Sequence, residues 1–380
     1  MMSDKKVCNK APLLIFFCFL IIESCSIIRP GIRGIELTEY DLEIARHKGI
    51  ELKDLKKMKT VQLYKLDERE IDKYVAYLHE VEPNLRKRIQ RIAHKFLGQP
   101  YQIYLLGEFP FEIYDPQPLY SIRKSDCVVF CEHVYAMALS HDWRSFMALL
   151  QRIRYKDGEI GLLTRNHYTV YDWDRNNSWL VEDITEELTE LEVVKDTMII
   201  DKAKFFKKWG VGQDIPVDTL EWSYIPYELL PEVVNKLKTG DFVNIVRGDT
   251  SGKWVGHVGL ISIGDHSGIG NDRTVNFIHS TYPEVKEQPI MDLYRNADRY
   301  NKRRQEYNKK IEKRNKRIEE YNAKLSRSKF LRLFRKEKPL LPMKYYFLGF
   351  KFLRLRENPM EELIKMDGSK APGIIISPDM

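Results

Sequence analysis

The stretch Ser125-Asp126-Cys127-Val128-Val129-Phe130-Cys131-Glu132-His133-Val134-Tyr135-Ala136-Met137-Ala138-Leu139 reads as an apolar helix that opens on a cysteine. Ser125 or Asp126 is placed to cap it, since a short polar side chain before the first turn can accept from the free N–H groups there. A thiol in the first turn feels the partial positive charge of the helix end, which favours the thiolate, and the N–H groups can hold an oxyanion. Cys131, one turn inside, gains neither. Taken singly, Cys127 is also readable as a buried apolar residue.

Upstream, residues 66–97 predict two helices. Asp67 caps the first, Pro83 separates them, and Leu85, Ile89, Ile92, Ala93 and Phe96 form the buried face of the second, which stops at Gly98. Tyr101 opens a loop rich in proline and aromatic residues. Downstream, Asp241–Val246, His257–Ile263 and Val275–His279 predict strands separated by glycine-containing turns, and Phe347–Leu355 a last strand. Helices first, then a meander, is an α+β plan. His257 and His279 fall on adjacent strands with alternation that puts them on one face, where a base and its orienter would serve a cysteine nucleophile.

The N-terminus is set apart from the fold. Lys5, Lys6 and Lys10 precede the apolar run Leu13–Ile22, too short for a membrane span. Ile22-Glu23-Ser24-Cys25 resembles a lipobox, which predicts a signal peptide over 1–25, lipidation of Cys25 and a lipid-anchored protein of the cell envelope. Ser26 after the cysteine points to the periplasmic face of the outer membrane. The alternative is an ordinary secretory signal. Of the five cysteines only Cys127 and Cys131 remain in the mature chain, which is no disulfide framework. Residues 26–65 read as a tether with at most one short helix.

The net charge of +7 is local in origin. Residues 295–338 hold 18 Lys and Arg against 6 Asp and Glu, a local +12 that leaves the rest of the 380 residues at −5. Tyr300, Tyr307, Ile311, Ile318, Tyr321 and Leu325 recur at 3.5-residue spacing, with Arg304 and Arg314 in two seam positions, which predicts a charged helix, a helical hairpin or a marginal coiled coil. The segment reads as a solvated protrusion or as an arm for an anionic polymer, lipid headgroups or a protein partner. No nucleic-acid motif accompanies the charge.

Five stretches together resemble one family. They are Phe96-Leu97-Gly98-Gln99-Pro100-Tyr101; Asp126-Cys127-Val128-Val129-Phe130-Cys131-Glu132; Thr164-Arg165-Asn166-His167-Tyr168 with Asp172-Trp173; Gly240-Asp241 with His257-Val258-Gly259; and Ile278-His279-Ser280. The order is similar to NlpC-type cysteine peptidases of the bacterial cell wall and, more closely, to the N-acetylmuramoyl-L-alanine amidase-like family, over roughly 84–295 and 340–356. The resemblance implies a papain-like domain over 66–294 and 339–380, interrupted by the basic insertion 295–338. It also implies Cys127 as nucleophile, His257 as base and His279 as its orienter, acting without a cofactor on peptidoglycan or muropeptides. Gly256 and Cys131 depart from the family's usual residues without removing a triad member.

Arg165, His167 and Tyr168 are candidates for holding the stem peptide, Arg165 through bidentate contact with a carboxylate; an internal pair between Arg165 and Asp172 is the structural alternative. Tyr101 is a candidate cleft wall, and Asp126 and Glu132 support the nucleophile helix beside the substrate. The expected reaction is cleavage of the MurNAc–L-Ala amide. The alternatives are a γ-D-Glu–diamino acid endopeptidase, a papain-fold acyltransferase and a non-catalytic envelope lipoprotein. A zinc site from Cys127, Cys131, His257 and His279 lacks the usual ligand spacing, and none is expected.

Overall fold

A computed structural model describes residues 37–367 except 250–251, 265–273, 328–329 and 331–333. The signal peptide, the lipobox and Cys25 lie outside the described residues. So do the first eleven residues of the expected tether and residues 368–380.

Six helices come first: α1 (Glu39–His47), α2 (Leu52–Thr60), α3 (Glu68–Val81), α4 (Leu85–Lys95), α5 (Cys127–Leu139) and α6 (Trp143–Arg154). Asp67 caps α3 and Asn84 caps α4. Helix α4 ends at Lys95, short of the expected stop, and Gly98 takes the left-handed conformation just beyond it. The expected tether is corrected for residues 37–65. They fold as α1, α2 and a short 3-10 turn, and Leu55, Met58 and Leu63 are fully buried in the same core as α3 to α6. Their scattered apolar residues lack a long period because each helix has only nine residues and buries only a few side chains.

The strands are β1 (Val181–Asp183), β2 (Val194–Ile200), β3 (Asp218–Pro226), β4 (Phe242–Asp249), β5 (Gly252–Gly264), β6 (Thr274–Ser280), β7 (Val285–Pro289) and β8 (Tyr346–Leu355). They form an antiparallel sheet in the order β2-β3-β8-β4-β5-β6-β7, with β1 also paired to β8. The meander β4 to β6 is the expected one, β7 extends it by an edge strand that was not expected, and β8 returns to its inner edge. Alternation gives the sheet two buried faces. Phe242, Val258, Leu260, Ile278 and Leu353 pack beneath α4 and α5. Val243, Ile245, Ile261, Val275 and Phe277 pack on the other side against Ile290 and Ala297.

Ala297 belongs to a 36-residue helix, Met291–Ser326, between β7 and β8. Among the described residues its heptad repeat is matched by an extended segment and not by a second long helix. The chain returns along it in extended form, held by four asparagines. Asn301, Asn308, Asn315 and Asn322 each donate from the side-chain amide to one backbone carbonyl, of Phe347, Lys344, Leu341 and Lys338 in turn. Each also accepts that same residue's N–H. Seven helical residues advance about 10.5 Å and three extended ones about 9–10 Å, so the two repeats stay in step. Pro339 and Pro342, which lack an N–H, fall between the bonded positions. Of the three expected forms the charged helix is the one present, clasped to its own return strand in place of a hairpin or coiled-coil partner. Among the described residues, no helix is long and apolar enough to cross a membrane.

Candidate active site

Cys127 is the first residue of α5, and Asp126 caps the helix with one carboxylate oxygen accepting from Val128 N–H at 3.0 Å and Val129 N–H at 2.9 Å. Those two donors are therefore engaged. The half-buried sulfur still faces the N–H groups of Val258, Val128 and its own residue, which favour the thiolate. Burial opposes them and dominates, the Asp126 carboxylate adds to it, and the thiol is pushed up to about 12. The expectation that the helix end leaves a low-pKa thiol is corrected: desolvation outweighs the few N–H dipoles. Cys131, fully buried one turn on, is likewise pushed well up by burial.

His257 and His279 come together: His257 Nε2 lies 2.6 Å from His279 Nδ1, with the rings edge-on. His279 stacks on Phe277 at 4.5 Å between centroids, which fixes its ring plane. Gly259 makes the room. A Cβ there would lie 2.5 Å from the Phe277 ring and 2.8 Å from His279 Cβ. Burial pushes His257 down to about 3, with Arg247 and Lys286 adding to it. Burial likewise pushes His279 down to about 2, with His257 and Lys286 behind it. At neutral pH both imidazoles are neutral, so one donates to the other. With Nε2 of His257 engaged, Nδ1 is its remaining ring nitrogen.

Beside this pair β5 and β6 part. Their last paired residues are Leu260 and Ile278, and Val258, whose N–H faces the sulfur, adjoins His257 in the chain. A network the sequence reading did not single out locks the two sides. Ser125 Oγ donates to Gln99 Oε1 at 2.6 Å and lies 2.9 Å from Ser280 Oγ, which itself lies 2.9 Å from the Ser125 carbonyl. Gln99 also donates to the Ile122 carbonyl. Gly98 N–H and Tyr101 N–H donate to the carbonyls of Val285 and Pro283. Ser125 and Ser280 stand beside the cysteine and the second histidine in sequence, so their presence in the motifs was the available signal. Burial raises the Tyr101 phenol, and Cys127 and Asp126 lie close enough to add to it.

The other candidates serve inward. Arg165 donates to the Leu106 carbonyl and to Asp115 Oδ2 at 3.0 Å, and its Nε lies 3.3 Å from Glu108. Its expected contact with a stem-peptide carboxylate is replaced by these internal acids, and so is the alternative partner Asp172, which pairs with Lys202 at 2.6 Å. His167 Nε2 bonds the Leu162 carbonyl while its ring packs among Phe205, Phe206 and Trp209. Tyr168 packs on Phe205, and its N–H donates to Asp172. Glu132 is buried and accepts from Trp173 Nε1 at 3.1 Å; burial raises its carboxyl to about 7, partly offset by Arg154. Asp126 is consumed by its cap. These five are engaged within the protein, and of the expected substrate contacts Tyr101 and Asp126 are the two close enough to interact with the sulfur. A cavity of about 290 Å³ between α6 and loop 109–120 is lined by Phe109, Phe111, Trp143 and Met147, and by none of the three candidate catalytic residues. Among the described residues no cluster of His, Cys, Asp or Glu is arranged to hold a metal ion.

The sequence profile of the family described as N-acetylmuramoyl-L-alanine amidase-like matches residues 91–300, more than half of the chain. That span takes in Cys127, His257 and His279, the clamp residues Gln99, Ser125 and Ser280, and the strands from β1 to β7. A search of curated proteins finds no match. Among solved structures, protein LPG0564 from Legionella pneumophila, of the family DUF1460, superposes with a TM-score of 0.55 at 18% identity, over 76% of this chain and 94% of that one. An N-acetylmuramoyl-L-alanine amidase from Bacteroides uniformis gives 0.45 at 18% identity, over 72% and 99%. The first of these likenesses extends to the fold, a mixed helical and antiparallel arrangement.

Proposed function

The chain belongs to the N-acetylmuramoyl-L-alanine amidase-like family, and from that premise we propose that it hydrolyses an amide bond of peptidoglycan, the MurNAc–L-Ala bond first, with Cys127 as nucleophile. The observation that carries the reading is the 2.6 Å pair between His257 on β5 and His279 on β6, with the N–H of Val258, next to His257 in the chain, facing the Cys127 sulfur. With the thiol protonated and His257 neutral at rest, proton transfer accompanies attack. His257 Nδ1 takes the thiol proton as the sulfur bonds to the carbonyl carbon. The N–H groups of Cys127 and Val258 face the oxygen as it gains charge. The amine leaves with the proton from His257, giving a thioester, and water resolves it by the same route in reverse. His279 holds the His257 ring, as the third member of a triad does.

The same reading places the chain in the papain-like NlpC-type group and treats the long helix as an insertion. It also puts the mature protein in the cell envelope, anchored through lipid on Cys25. The lipobox-like Ile22-Glu23-Ser24-Cys25 supports the anchor. The test is digestion of purified muropeptides by residues 26–380, beside Cys127→Ala, read by mass spectrometry. Free stem peptide from the wild type only is the expected result. Cleavage inside the stem would make the chain an endopeptidase with the same triad. No product from several muropeptides would overturn the proposal.

A further inference from the structure

The clasp changes what the basic segment can bind. Its heptad face is covered by the chain's own residues 338–347, so no partner helix is needed to bury it. Ile311 and Leu325 are buried there, and Lys344 and Lys338 lie over the rings of Tyr307 and Tyr321 at 4.3 and 4.7 Å. Outside the clasped face the helix carries Lys302, Lys309, Lys313, Lys316, Arg317 and Lys324, all exposed, against the exposed Glu306, Glu312, Glu319 and Glu320. Just beyond the helix, Phe330 and Phe334 touch at 5.3 Å between centroids yet are 69% and 73% exposed. Arg335 and Lys336, also exposed, follow them.

We propose that this arm docks on an anionic lipid bilayer, with the lysine strip against the headgroups and Phe330 and Phe334 entering the interface. Cations alone would suit any polyanion. Exposed aromatic rings beside them are rewarded by a bilayer, which offers an apolar layer beneath the charge, and not by a soluble acidic polymer. The inference is independent of the amidase reading.

The test uses residues 26–380, which lack the lipid site, in co-sedimentation with vesicles of phosphatidylglycerol and phosphatidylcholine or of phosphatidylcholine alone. The expected result is binding to the anionic vesicles only, weakened by salt. Each Lys→Gln change at 302, 309, 313 or 316 should weaken partitioning about fivefold. The double change Phe330→Ser and Phe334→Ser, at exposed positions, should weaken it on the order of tenfold or more. Equal binding to both vesicle types, or to neither, would overturn the proposal. So would tight, salt-sensitive binding to soluble polyglutamate that the phenylalanine changes leave untouched, which would make the arm a reader of anionic polymer.

Discussion

Replacing Glu132 by Gln should stabilise the protein at high pH and leave it unchanged at low pH. Glu132 is 3% exposed, on the helix that starts with Cys127, and its carboxylate accepts from Trp173 Nε1. A glutamine keeps that acceptor and removes the charge. Burial lifts the carboxyl from its ordinary range to about 7. At about 1.4 kcal/mol per pH unit, ionising it in the folded protein costs about 3 kcal/mol. A raised folded-state value means stability is fully present below the ordinary carboxylate range and declines as pH rises toward about 7, then levels. The two proteins should therefore melt together near about pH 4. They should separate progressively to a gap of about 3 kcal/mol, several degrees in Tm, near about pH 8. Differential scanning calorimetry across that range reads it. A Tm difference that does not vary with pH, or a variant less stable at high pH, would refute the argument that burial governs this group.

Three further outcomes follow from the geometry. Gly259→Ala should lower stability by about 1–3 kcal/mol and abolish most hydrolysis, because the new methyl must displace Phe277 or His279; a variant with wild-type melting and turnover would remove Gly259 from the account. Asn308→Ala should remove two bonds to the Lys344 backbone, each worth about 1 kcal/mol. Hydrogen exchange over 338–347 should then quicken while the main melting transition stays, and unchanged exchange would deny the clasp its role. Alkylation of the Cys127 thiol, read against Cys127→Ala, should climb steadily from about pH 6 to about pH 9, since burial holds the thiol near 12. A rate already at plateau at neutral pH would show a resting thiolate–imidazolium pair instead.

The parts legible in the sequence are those whose pattern is local. Asp126 before an apolar run, the strands β4 to β6 and β8, and the cap of α3 each declare themselves within a few residues. The half-exposed strands β2 and β3 alternate weakly, and the edge strand Val285-Lys286-Glu287-Gln288-Pro289 is mostly polar, so only pairing reveals them. Arg165 looked like a substrate clamp because its type fits that task; its acids, Glu108 and Asp115, lie about fifty residues upstream in a loop with no period. The asparagine at every seventh position was visible beside the tyrosines. A heptad is usually closed by another helix, however, and the match of seven helical to three extended residues emerges only when both strands of the arm are seen. The thiol's upward shift was hidden for a related reason, since motif residues reveal the helix end and not the depth at which it is buried.

The most direct test of the central claim is intact-protein mass spectrometry of residues 26–380 after rapid acid quench from a muropeptide digest, with the adduct mapped by proteolysis. The account predicts a transient thioester on Cys127, carrying the glycan-lactoyl group when the MurNAc–L-Ala bond is cut, and none in Cys127→Ala, which should also fail to turn over. Hydrolysis that continues undiminished in Cys127→Ala, or an acyl group found on any other residue, would contradict it.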